Sequence, residues 1–409
     1  MKHSITVIGL FFLLWAGALH GQQLANMYDA AMQKMDNKDY RGAITDFSKI
    51  LHQSQYYYDA NLSRGMCYEA IKKYDSALVD YNAAITKNPK FHEAFLQRAL
   101  FYRNIKKDEK SALADLNKAI EIKPNFFPAY MERADIYMNN KNYSLAQKDY
   151  TSAVNLKPDW WEPYYKRAFA FLEDDKNNEG LADLSKVIQL KSDFAEGYSV
   201  RAQVYRDRGE YANAIKDFSK AINLGMQNDS IYKQRADIYY DTKQYQLALN
   251  DYTLLLTQYK KRHAELYSKR GVCYTSLGDS IAAQKDFTKA ISLDRSDYTV
   301  YLYRAENAVK LKKMSIAVSD YNRAIELKPK AWDIYFSRAK VYLEQKKYEQ
   351  AIEDFTAAIK YNPKLAEAYF LRGSCKDALK DISGACADLK KAASLHHQEA
   401  VRDVGKYCR

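Results

Sequence analysis

A 34-residue period governs this chain of 409 residues. Five of its seven prolines close the same short phrase: Ala84 to Pro89, Ala119 to Pro124, Ala153 to Pro158, Ala324 to Pro329 and Ala358 to Pro363. A frame laid from Leu24 gives eleven copies, starting at 24, 58, 92, 127, 161, 195, 229, 264, 298, 332 and 366. One extra residue is placed in the turn near Asp108, and His263 is the other. Self-similarity at this spacing outranks the usual expectation of two or three domains for such a length.

Each copy carries apolar residues at helical spacing, a polar break and a second helical stretch. Position 8 is always Ala or Gly, from Ala31 and Gly65 to Gly373, and position 20 is always small as well. Two antiparallel helices approach closely only where no large side chain intervenes. Low Gly and Pro content, 14 and 7 residues, argues against a turn-rich β architecture and against Gly-rich phosphate loops. The 36 tyrosines follow the frame too: 25 fall at positions 4, 11, 17 and 24, which favours packing over base stacking.

Small residues at positions 8 and 20, with aromatics around them, make each copy resemble the tetratricopeptide repeat. That resemblance implies an all-α, right-handed superhelical solenoid of helix pairs. The array spans residues 22–399, and a truncated first helix at 400–409 caps it, because open solenoids need a covered end. The closing segment, Gly384 to Cys408, resembles that of exported tetratricopeptide proteins from Bacteroidota-type Gram-negative bacteria. Cys386 and Cys408 stand there either as a disulfide pinning the cap or as two buried thiols. Cys67, Cys273 and Cys375 share position 10, where other copies carry apolar residues, and read as small buried hydrophobes.

Position 23 is Asp in all eleven copies and position 7 is Arg in ten, the first having Ala30. Eleven identical active sites are implausible, so the pattern reads as a structural Arg–Asp ladder. Each Arg is expected to pair with the Asp of the preceding repeat, Arg201 with Asp183 and Arg235 with Asp217. Ala30 then has no partner to serve.

Met1-Lys2-His3 and the apolar run from Ile5 to about Ala18 read as a signal peptide over residues 1–21, cleaved near 18 or 21. The rival reading is an uncleaved anchor. Export to the periplasm or cell envelope follows. No CxxC, HExxH, P-loop, GxGxxG or GxSxG motif occurs, so no catalytic residue, metal or cofactor is assigned and no enzyme is expected.

In the tetratricopeptide family, first helices line the groove that binds proteins or peptides, with positions 2, 5, 9 and 12 facing it. Two clusters there are apolar: Met131, Met138, Tyr165, Phe169 and Leu172, and then Phe336, Leu343 and Phe370. The Asn that chaperone-binding members use at position 9 is absent. The expected role is a non-catalytic scaffold that binds a protein or peptide. The alternatives are a basic surface for an acidic polymer or membrane headgroups, and an accessory subunit of an envelope enzyme. The formal charge of +12 is spread along a convex face by Lys or Arg at position 26 in seven copies, which does not suit nucleic acid.

Overall fold

The computed structural model describes residues 21–408. The signal-peptide reading of residues 1–20 lies outside the described residues. Every regular element among the described residues is helical. The chain divides into two compact units, Met1–Val204 and Tyr205–Arg409.

In the first unit, α1 (residues 21–36) is followed by α2 (Tyr40–Gln53), α3 (Tyr58–Ala70), α4 (Tyr74–Lys87) and α5 (His92–Phe101). A π-helical turn (Tyr102–Lys106) extends α5. Then come α6 (Glu109–Ile122), α7 (Phe127–Asn139), α8 (Tyr143–Leu156), α9 (Trp161–Leu172), α10 (Asn177–Leu190) and α11 (Ala195–Asp207). The second unit holds α12 (Tyr211–Asn223), α13 (Asp229–Asp241), α14 (Tyr245–Thr257), α15 (Ala264–Ser276), α16 (Ser280–Leu293) and α17 (Tyr298–Lys310). It ends with α18 (Met314–Leu327), α19 (Trp332–Glu344), α20 (Tyr348–Tyr361), α21 (Ala366–Ala378), α22 (Ile382–Ser394) and the closing α23 (Gln398–Tyr407). Within each unit, odd-numbered first helices and even-numbered second helices pack against their chain neighbours.

The small residues do the work expected of them. Ala43, Ala77, Ala112, Ala134 and Ala168 are sealed from solvent. At Gly271 an added Cβ would meet the Phe287 ring at 2.6 Å, so this crossing admits no side chain. Asp39, Asp108, Asp279 and Asp381 cap the second helices α2, α6, α16 and α22 through backbone N–H groups.

The ladder is bidentate but runs the other way from the sequence expectation. In nine repeats, the Arg at position 7 donates from Nε and Nη2 to both oxygens of the Asp in its own repeat, at 2.6–2.8 Å. Asp183 thus belongs to Arg167, not to Arg201, and Arg235 binds Asp251, not Asp217. Sixteen or seventeen residues separate Arg from Asp, which places them on facing helices of one pair. The third guanidinium nitrogen makes the inter-repeat link. Arg98 Nη1 donates to Asn82, Arg201 to Ser185 and Arg338 to Asn322, each at position 25 of the repeat before.

Ala30 has a different explanation as well. The first repeat has no predecessor to reach, and Lys34 supplies the counter-charge to Asp46 at 2.5 Å. The tyrosine columns cover the rungs: Arg235 lies over Tyr232 and Tyr239, and Arg338 over Tyr335 and Tyr342, at 5.7–5.9 Å.

Cys386 and Cys408 are joined by a disulfide with Cα atoms 5.4 Å apart. Cys67, Cys273 and Cys375 are buried, which pushes their thiols up to about 11, 12 and 11.

Candidate functional site

The extra residue of the third repeat is not in the turn. It is absorbed inside the first helix as the π-helical turn Tyr102–Lys106, after which Lys107 adopts a left-handed conformation (φ 55°). An inserted residue re-aims the side chains that follow it, and such π-bulges frequently mark functional positions. Here Arg103, Asn104 and Lys107 join Asp135, Met138, Tyr165, Lys166 and Phe169 around a groove of about 570 Å³. Its walls come from α5 with its π turn, α7 and α9, three successive first helices of the first unit.

Three of the five residues expected in that cluster, Met138, Tyr165 and Phe169, line the groove. Tyr165 and Phe169 meet edge-on at 5.0 Å, and Phe194 holds Tyr165 from behind at 5.0 Å. Met131 is core instead, packed with Ala134, Ala146 and Tyr150. Leu172 fills the space that Gly180 leaves open. In the second unit Phe336 is buried against Phe355, and Leu343 packs on the same cluster. Phe370 stacks on His397 at 4.4 Å and lines an open cleft of about 640 Å³ between α21 and the cap.

Charges around the groove are organised in pairs. Arg103 pairs with Glu132, whose carboxyl burial pushes above the ordinary range against the pull of Arg103. Asp135 accepts from the Tyr150 hydroxyl at 2.6 Å and from Lys166 of the next repeat at 2.7 Å. Lys107 is exposed beside them. The groove therefore offers a half-buried aromatic floor beneath a rim of fixed cations and one carboxylate.

That Asp–Tyr–Lys unit recurs in the second unit as Asp237, Tyr252 and Lys269. The columns hold its signature: an acid at position 9 wherever position 24 is Tyr and the next position 6 is Lys. Reading position 9 only for its solvent face missed that its acid satisfies a buried phenol. Among the described residues, no group of three or more His, Cys, Asp or Glu is placed to hold a metal ion.

Tetratricopeptide-repeat family models match residues 28–90, 92–126, 127–159, 195–224, 264–297 and 332–365, more than half of the chain. The chain belongs to the tetratricopeptide repeat family. That fold is generally a non-catalytic scaffold for protein–protein interaction. Among solved structures, a tetratricopeptide repeat protein from Parabacteroides merdae is 22% identical, covering 60% of this chain and 96% of its own, with a TM-score of 0.42. The C-terminal part of a repeat protein from Cytophaga hutchinsonii is 18% identical over 58% of this chain and 97% of its own, at 0.47. Yeast Tom70 is 16% identical over 94% and 95%, at 0.36. No curated protein matches the chain.

Proposed function

We infer that this tetratricopeptide protein is an exported, non-catalytic scaffold of a bacterial cell envelope, and that it holds a protein or peptide partner in the first unit's groove. The observation that carries the reading is the π-helical turn, which brings Arg103 and Lys107 over a half-buried Tyr165–Phe169 floor. A regular 34-residue repeat would not place those cations there. Aromatic anchors beside fixed charges are the usual composition of a binding hot spot. The basic leader followed by an apolar run supports export.

Crosslinking in envelope fractions followed by pull-down tests both parts. The wild-type chain should capture a defined partner, and Tyr165→Ala/Phe169→Ala should lose it. Lys166→Gln, which spares the aromatic packing, should weaken capture without changing the helical content. An unchanged partner set in both variants would remove this groove as the site. Recovery of the chain from the cytoplasm alone would overturn the envelope assignment.

A further inference from the structure

The lysine surplus divides between two kinds of turn. Lysines at turns between repeats are engaged in packing: Lys157 lies over Phe127 and Trp160 at 4.5 and 4.2 Å, and Lys328 over Tyr298 at 4.3 Å. The turns within repeats are different. There Lys38, Lys72, Lys107, Lys141, Lys243, Lys312, Lys346 and Lys380 each stand in the left-handed backbone region, with φ between 55° and 66°. Two other repeats place glycine at the same position, Gly209 and Gly278. Glycine is the residue this conformation favours, so eight lysines hold a strained backbone that glycine would relieve.

All eight are exposed, and of those in the second unit only Lys312 has an acidic partner, Glu344 of the next turn at 3.1 Å. That contact sets neighbouring turns side by side. The turns of the ninth and tenth repeats carry Lys310, Lys312, Lys313, Lys346 and Lys347 against Glu344 alone. The lysines are interleaved with bare aliphatic side chains at the start of the second helices. Leu247 follows Lys243, Ile316 follows Lys313, and Leu379 and Ile382 flank Lys380; Ile281 is 66% exposed and Ile382 54%. At position 26, by contrast, Lys49, Lys118 and Arg323 are paired with acids three residues away. The convex column assigned the surplus in the sequence reading is thus partly neutralised.

We propose that the edge of the second unit formed by these within-repeat turns docks on an anionic lipid surface. Lysines supply the attraction to headgroups, and the aliphatic residues between them enter the interface. A soluble polyanion would use the cations but leave the aliphatics wet, which is why a bilayer fits better. No described helix is long and apolar enough to cross a membrane, so the contact is peripheral. This surface is separate from the first unit's groove and does not depend on it.

Vesicle co-sedimentation of the full chain tests the proposal, using Lys312→Gly/Lys346→Gly/Lys380→Gly against Lys118→Gln/Lys220→Gln/Lys289→Gln on the second helices. Wild type should bind phosphatidylglycerol–phosphatidylcholine vesicles and ignore phosphatidylcholine alone. At about fivefold per lysine near an anionic surface, the edge triple should lose at least tenfold in partitioning. Its thermal midpoint should hold or rise, because glycine relieves the left-handed strain. The control triple should bind like wild type. Equal losses in both triples, binding to neutral vesicles, or capture by polyphosphate with none by anionic vesicles would each overturn it.

Discussion

Two acids at position 9 of their repeats, Asp237 and Glu306, face opposite electrostatic fates within the second unit. Both stand near a buried tyrosine at position 24, Tyr252 and Tyr321. At Asp237, burial pushes the carboxyl up, but hydrogen bonds from Lys269, Lys233 and Tyr252 outweigh it and hold the group below the usual range. At Glu306, burial also pushes up, and Lys310 and Lys340 do not offset it. The difference lies one repeat later: position 6 is Lys269 in one case and Ser337 in the other. A repeat's polar interior is therefore completed by its successor, which is what couples repeats that otherwise share one design.

The largest effect tests what both repeats have in common. Arg304→Ala should cost about 3–5 kcal/mol in chemical denaturation, because Asp320 is left buried without its bidentate partner. A loss under about 1 kcal/mol would mean the rung is solvated.

Next, Lys269→Met should cost about 1–2 kcal/mol by leaving a half-buried carboxylate short of its partner. Adding Asp237→Asn should recover much of that loss. The sign with pH follows from the depressed value of Asp237. Its contribution is present above the unfolded value near 3.9 and is lost as pH falls through the lower folded value.

Converting one repeat into the other is a smaller change. Ser337→Lys should lower the Glu306 carboxyl in a proton-titration experiment and stabilise by about 0.5–1 kcal/mol. The smallest effect is Glu306→Gln, a gain of a few tenths of a kcal/mol at neutral pH, since the side chain still reaches water. Because the folded value is raised, Glu306 destabilises above the ordinary Glu range. The gain should therefore fade toward pH 4 and below, where the carboxyl is protonated in both states.

The fold was legible because each repeat buries the same small residues at the same places, and a crossing such as Gly271 on Phe287 tolerates nothing larger. The tyrosine columns were legible for the same reason, and the rungs they cover explain why they are tyrosine. Pairing direction was not legible, since an invariant Arg and an invariant Asp fit either neighbour. What decides it is position 25, where Ser, Thr or Asn takes the third guanidinium nitrogen of the following repeat; the last repeat, with no such Arg after it, has Lys390. Half of the candidate site was read from apolar residues on a first-helix face. The rest was hidden because one inserted residue entered a helix as a π turn rather than lengthening a loop. Met131 and Phe336 were misread as surface because packing against the neighbouring first helix covers them.

Amide hydrogen exchange of the chain with its crosslink-identified partner tests partner recognition most directly. The π turn and its facing helices should gain protection, over residues 102–107, 135–139 and 162–169. Protection confined to α21 and the cap, or none in those three segments, would contradict the assignment of the groove.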